Sequence, residues 1–209
     1  THNFIGGSDP LLGNYILLNG AYGVWITGAA TTKNTLSNNI ISESDLNGVR
    51  IDSGSSLNAV NASKIGDNGK NTTTVQEQAG VWLHDAINNT INANLIQDHP
   101  GDGILIDGTS QDNNIGTGVS TNGNTIDGQH LSANGGLNGV HIAGANATNN
   151  TVANNIIIRF AANGVLLDSG AINNVILDNF IGTDDLLTDG LNNTVNGVLL
   201  TSGATVNIV

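Results

Sequence analysis

The chain has 209 residues, with 5 Lys+Arg against 17 Asp+Glu and a formal net charge of −12. Such an acidic surface repels phosphate backbones and anionic bilayers, so neither nucleic acid nor a membrane is expected as a partner. The absence of cysteine excludes a disulfide framework and any Cys-based metal centre, and no apolar run reaches membrane-spanning length. There is no methionine and the first residue is Thr1, from which processing, or excision from a longer protein, is expected. Aromatic residues make up only 3% of the chain, while Asn, Gly, Thr and Ser abound between regularly placed Val, Ile and Leu. That balance fits an elongated repeat fold better than disorder.

In chain order, one frame returns seven times. It opens on Gly23, Gly48, Gly80, Gly103, Gly139, Gly164 and Gly197, separated by 25, 32, 23, 36, 25 and 33 residues. Each glycine starts a short strand with apolar residues one apart: Val24/Ile26, Val49/Ile51, Val81/Leu83, Ile104/Ile106, Val140/Ile142, Val165/Leu167 and Val198/Leu200. A period of two puts both on one face and turns the residue between them outward. A turn follows, then an asparagine: Asn34, Asn58, Asn89, Asn124, Asn150, Asn174 or Asn207. An apolar residue lies two positions beyond it. Five beyond lies Asn39, Ser63, Asn94, Gln129, Asn155 or Asn179, and seven beyond lies Ile41, Ile65, Ile96, Leu131, Ile157 or Ile181. On this frame Ile115–Gly123 is an insertion before the Asn124 anchor.

Coils of 23–36 residues, each holding several short strands, predict an all-β, right-handed single-stranded parallel β-helix (a β-solenoid) of about seven coils. Residues 1–209 form a single β-helix segment. Stacking at roughly 4.8 Å per coil lines up Val/Ile ladders inside and Asn ladders at the bends. Side-chain amides can donate one way along the stack and accept the other, so the asparagines are structural. Counting on from Asn207 through Thr1 places Asn3 five residues later and Ile5 seven later. The frame is therefore expected to run on, through a longer parent chain or through head-to-tail self-association into a filament.

The frame Gly-Val-x-Ile…Gly-Ala…Asn-x-Ile-x-x-Asn-x-Ile resembles the right-handed parallel β-helix repeats of the pectate-lyase-like superfamily. It is most similar to the Asn/Gly-rich versions in bacterial secreted and surface proteins. The resemblance covers nearly the whole chain and implies an extracellular or cell-surface location. It does not select an activity, because this fold hosts lyases, hydrolases, epimerases, adhesins and inert stalks. Polygalacturonase-like enzymes combine Asn-Thr-Asp, Asp-Asp, Gly-His-Gly and Arg-Ile-Lys; here Asp184-Asp185 stands alone and Arg50-Ile51-Asp52 lacks the lysine. Pectate-lyase-like catalysis needs a basic proton abstractor beside acidic calcium ligands, and Arg50 is the one well-placed cation. The epimerase-type Asp-Pro-His is missing, since Asp98-His99-Pro100 has the wrong order.

Two outward columns carry the chemical options. Trp25, Arg50, Trp82, Leu105, His141, Leu166 and Leu199 form the first; Thr27, Asp52, His84, Asp107, Ala143, Asp168 and Thr201 form the second. Asp52 and Asp107 lie two coils apart, roughly 9–10 Å, with His84 between them. In a glycoside hydrolase of the inverting kind Asp107 would be the acid, Asp52 the base and His84 the orienting group. Trp25, Arg50, Trp82 and His141 would contact the glycan, tryptophan faces being natural sugar platforms. The competing reading is an Asp-His-Asp column that neutralises itself between coils. No cofactor is implied, although Asp184, Asp185 and Asp189 share one excursion whose oxygens suit calcium, without an EF-hand or nonapeptide spacing. Two readings stand: a structural stalk, adhesin shaft or filament subunit, and a polysaccharide-active enzyme or glycan-binding module using the Trp/Arg/His/Asp face.

Overall fold

The computed structural model describes residues 2–116, 123–128, 136–184, 186–187 and 189–209. Three parallel sheets of seven strands each wrap one core. Every coil contributes one short strand to each sheet in turn. The first sheet runs from Phe4–Gly6 through Ala59–Asn61 and Asn114–Gly116 to Val175–Leu177. The second runs from Tyr15–Leu17 through Lys64–Gly66 and Thr125–Asp127 to Phe180–Ile181, and the third from Val24–Thr27 through Val81–His84 to Asn196–Leu200. Two 3-10 turns, Pro10–Leu12 and Val75–Gln78, complete the regular structure, and among the described residues there is no α-helix. Among the described residues no helix is long and apolar enough to cross a membrane, which says nothing of β-barrels.

The frame read from the sequence is visible in the register. Val24, Val49, Val81, Ile104, Val140, Val165 and Val198 align in the third sheet. In the middle coils these residues and their partners across the coil are fully buried in one continuous cluster. Each such aliphatic contributes about 1.5–3 kcal/mol by leaving water. The leading glycines from Gly23 to Gly164 are required by close approach, whereas a Cβ on Gly197, in the last coil, would find only an ordinary contact. A Cβ on Gly139 would lie 2.2 Å from Ile157 Cγ2 and 2.5 Å from the Gly164 carbonyl oxygen.

The corner between the first strand of a coil and the preceding turn carries an unbroken asparagine ladder: Asn3, Asn34, Asn58, Asn89, Asn113, Asn150, Asn174 and Asn207. Each backbone N–H and each Nδ2 donates to Oδ1 of the asparagine one coil on, at 2.8–3.2 Å. The residue before each asparagine bends the chain through the left-handed region, as at Leu57 (φ 57), Asn88 (φ 57) and Asp112 (φ 56). For a residue with a Cβ this costs about 1–2 kcal/mol, a cost the ladder bonds offset. A second ladder, Asn14, Asn39, Ser63, Asn94, Asn124, Asn155 and Asn179, lines the corner between the first and second sheets.

These ladders correct two points of the sequence frame. Asn113, not Asn124, anchors the first corner of its coil: Asn114–Gly116 pairs with Thr90–Asn92, and Ile126 aligns with Ile96. The insertion therefore falls between the two corners. It rejoins the coil at Gly123, where a Cβ would lie 1.6 Å from the Asn154 carbonyl oxygen. Gln129 and Leu131, expected at the second corner, lie outside the described residues. At the other end Asn3 bonds Asn34 and Ile5 aligns with Leu36. Asn3 thus repeats the place of Asn207 instead of following it by five residues.

Candidate functional site

The outward face of the third sheet gathers the chemistry. Register places Trp25 beside Arg50, Arg50 beside Trp82, Asp52 beside His84 and His84 beside Asp107, as the columns require. What these side chains then do depends on their neighbours.

Arg50 sits among aromatic rings. Its guanidinium carbon lies 4.2 Å from the centroid of Trp82, 5.1 Å from Tyr22 and 5.8 Å from Trp25, within cation–π range. Arg50 Nε donates to Asp52 Oδ2 at 2.6 Å, Trp25 Nε1 donates to the same oxygen at 3.0 Å, and Arg50 Nη1 donates to the Tyr22 hydroxyl at 2.5 Å. Asp52 is 2% exposed. Burial would raise its pKa, but hydrogen bonding from Thr27, Trp25 and Arg50 together with the Arg50 charge holds it below the ordinary 3.8. A carboxylate so occupied is a poor proton acceptor, and this geometry does not leave Asp52 facing open water opposite Asp107.

Trp82 points outward yet is 8% exposed. The excursion between the second and third sheets folds back so that Ala79 packs with Trp82 and Leu105 in a small cluster of their own. The sugar platform expected at Trp82 is therefore covered, whereas Trp25 remains 55% exposed. Trp82 Nε1 donates to Asp107 Oδ1 at 2.9 Å, and His84 Nδ1 reaches the same oxygen at 2.7 Å. The other nitrogen of His84 turns to Asp85, 3.5 Å away. Asp85 in turn accepts the Thr109 backbone N–H, which, ahead of burial, keeps its pKa low.

His141 is held between two carboxylates. Nδ1 lies 2.9 Å from Asp102 Oδ2 and Nε2 lies 3.2 Å from Asp168 Oδ1. Burial pulls the imidazole pKa down, but the hydrogen bonds and charges of Asp102 and Asp168 outweigh it and raise the value above 6.5. The other Asp102 oxygen accepts Asn138 Nδ2 at 2.8 Å, and that amide oxygen accepts from Asn163, whose own accepts from Asn196. Asp102 thus ends a third amide ladder, and His141 clamps three successive coils. With both nitrogens engaged, His141 is not poised to meet a ligand.

Tyr22, Asp85 and Asp102 were not among the residues read from the sequence. Tyr22, Ala79 and Asp102 share one position, immediately before the leading glycine, where the other coils carry Asn47, Asn138, Asn163 and Asn196. A departure from asparagine in that column was the available signal.

Surface depressions among the described residues lie elsewhere. One is bordered by Glu43, Asp45, Asp67 and Lys70, another by Phe4, Ile5 and Thr35. Neither includes Asp52, His84 or Asp107. In the last excursion Asp184 Oδ1 accepts the Leu186 N–H at 3.0 Å, while Asp185 lies outside the described residues. Among the described residues no three His, Asp or Glu side chains converge as a metal-holding group.

Three parallel sheets, a filled aliphatic core and amide ladders at the corners define a right-handed parallel β-solenoid. The family model for right-handed β-helix regions matches residues 3–118, and the chain belongs to that family. No curated protein sequence matches the chain. Among solved structures it is similar to the periplasmic alginate epimerase AlgG, at 14% identity and a TM-score of 0.60 over 88% of this chain and 44% of that one. A point mutant of AlgG superposes with a TM-score of 0.62 at 16% identity, covering 90% of this chain and 44% of that one. The A-module of the mannuronan C-5 epimerase AlgE4 from Azotobacter vinelandii gives 0.56 at 15% identity, over 91% and 56% of the two chains. The chain spans about half the length of these structures, and at such identities the likeness is one of fold.

Proposed function

We propose that the chain is a structural β-solenoid segment of a secreted or cell-surface protein, a stiff shaft that spaces or displays other parts. The observation that supports this most is the first-corner ladder, which passes through eight asparagines without a break. The polar side chains of the third sheet serve the same end, tying neighbouring coils to one another and leaving few free for a substrate. Asp52 anchors Arg50 and Trp25, Asp107 anchors Trp82 and His84, and Asp102 with Asp168 anchors His141. The test is a panel of neutral and uronate polysaccharides incubated with the protein and followed by proton NMR. A structural segment leaves chain length and anomeric signals unchanged. Turnover that disappears in Asp107→Asn would overturn the proposal.

A second reading rests on Trp25. With Tyr22 beside it, ring centroids 5.4 Å apart, it forms an exposed aromatic edge over Arg50 on the outward sheet face. The structural neighbours are alginate epimerases, so a glycan is the natural ligand class for such an edge. The chain lacks the epimerase-type Asp-Pro-His, and its charge of −12 disfavours a polyuronate; the reading is therefore binding of a neutral glycan. Titration with neutral oligosaccharides should change tryptophan fluorescence in the native protein and not in Trp25→Ala. No change in either would remove this reading.

A further inference from the structure

The outward face of the second sheet has no role in either proposal, yet it is patterned. In coil order its first outward column is Tyr15, Ile40, Lys64, Leu95, Thr125, Ile156 and Phe180, aligned residue on residue. Read from either end the sequence of types is the same: aromatic, isoleucine, polar, leucine, polar, isoleucine, aromatic. Tyr15 is 76% and Phe180 36% exposed, Lys64 is exposed, and the other four are partly exposed. Lys64 has no ion pair among the described residues, unlike Arg50, Lys70 and Arg159. An outward aliphatic and aromatic stripe on a chain this polar marks an interaction surface.

We propose that two copies of this chain associate laterally through the second sheet, with their coil stacks antiparallel. The two-fold axis runs along the strand direction at Leu95. That operator sets coil n of one copy against coil 8 − n of its partner, an isologous contact. Leu95 meets its own symmetry mate, Ile40 meets the partner's Ile156, and Tyr15 meets the partner's Phe180. Lys64 meets the hydroxyl of the partner's Thr125. The alternative two-fold, along the stack, sets like against like and brings two Lys64 ammonium groups together across a largely apolar contact. Like charges so placed oppose association. The palindrome in the column and the position of its one charge therefore select the antiparallel pairing.

Seven strands with six spacings of roughly 4.8 Å give a stripe about 29 Å long. One sheet face of three-residue strands is at the small end for a specific interface, so the dimer is weak and concentration-dependent.

Sedimentation equilibrium of the 209-residue chain over a micromolar to millimolar series tests this. Native protein should move from monomer to dimer, and no further. Leu95→Lys, which sets two cations against each other at the axis, should abolish the dimer with an unchanged circular dichroism spectrum. The decisive pair is at Thr125. In the antiparallel arrangement Thr125→Asp faces Lys64 of the partner subunit and should tighten the dimer about three- to tenfold, while Thr125→Lys should loosen it by a similar factor. In the parallel arrangement both variants face themselves and both loosen it. A chain that stays monomeric throughout the series, or a dimer that both Thr125 variants weaken, overturns the proposal. So does a dimer indifferent to both.

Discussion

Asn113 makes four side-chain bonds in the middle of the first-corner ladder, and its truncation measures what the ladder contributes. Its Oδ1 accepts Asn89 N–H at 2.9 Å and Asn89 Nδ2 at 3.1 Å; its Nδ2 donates to the Ala86 carbonyl at 2.8 Å and to Asn150 Oδ1 at 2.9 Å. Asn113→Ala removes all four. Three of the groups left behind keep another partner. Asn89 Nδ2 still donates to the Ser55 carbonyl, the Ala86 carbonyl still accepts from Gln111, and Asn150 Oδ1 still accepts the backbone N–H of residue 113. The backbone N–H of Asn89 keeps none, in a fully buried residue. Stranding that donor costs about 1–3 kcal/mol, and losing the remaining bonds about 0.5–1.5 kcal/mol each. The expected loss is about 2.5–7.5 kcal/mol, read as a fall in the urea midpoint by circular dichroism at unchanged m-value. A loss under about 1 kcal/mol would mean that the ladder is incidental, and the structural account would fail with it.

Other outcomes follow from the same contacts. Ser63 interrupts the second ladder, leaving Asn39 Nδ2 to the Ile5 carbonyl; Ser63→Asn should restore the amide chain and stabilise by about 1 kcal/mol, and destabilisation in the same melt would contradict the geometry. His141 has a raised pKa, so its contribution is fully present below 6.5 and is lost as pH rises through the folded value. The stability gap between the native chain and His141→Gln should therefore shrink on going alkaline, and a gap independent of pH would refute the clamp. Buried His99 shifts the other way, burial lowering its pKa against the carbonyls of Asn68 and Ile65; it favours the fold as pH rises, which is why the comparison must be made between variants. Asp52, with its pKa lowered, adds stability above 3.8 that disappears on acidification through the folded value. Asp52→Asn should flatten that acid limb and lower the melting temperature at neutral pH; an unchanged limb would remove Asp52 from the anchor role.

How far the sequence discloses this molecule depends on whether a residue's surroundings are periodic. Val49, Val81 and Ile104 recur at a fixed place in a repeated frame, and stacking alone then dictates their partners. The corner asparagines obey the same logic, but both corners carry Asn-x-apolar. Asn113-Asn114-Ile115 and Asn124-Thr125-Ile126 are interchangeable by pattern when an insertion of arbitrary length separates them. The choice of Asn124 over Asn113, and the shift in phase at Asn3, both arise from that degeneracy. The columns Trp25–Arg50–Trp82 and Asp52–His84–Asp107 were legible because outward residues align with their coils. Their accessibility was not. Burial of Trp82 depends on the excursion that brings Ala79 over it, and the engagement of His141 depends on Asp102, a neighbour 39 residues away in sequence. Neither contact is periodic.

Hydrogen exchange at the corner amides tests the central claim most directly. A continuous ladder places the backbone N–H groups of Asn58, Asn89, Asn113 and Asn150 on the side-chain oxygens of their neighbours. They should then exchange as slowly as the N–H groups of Val81 and Ile106 in the core strands, through opening of the whole solenoid. Exchange at the rate of solvated loop amides, with the strands still protected, would contradict a solenoid held together at its corners.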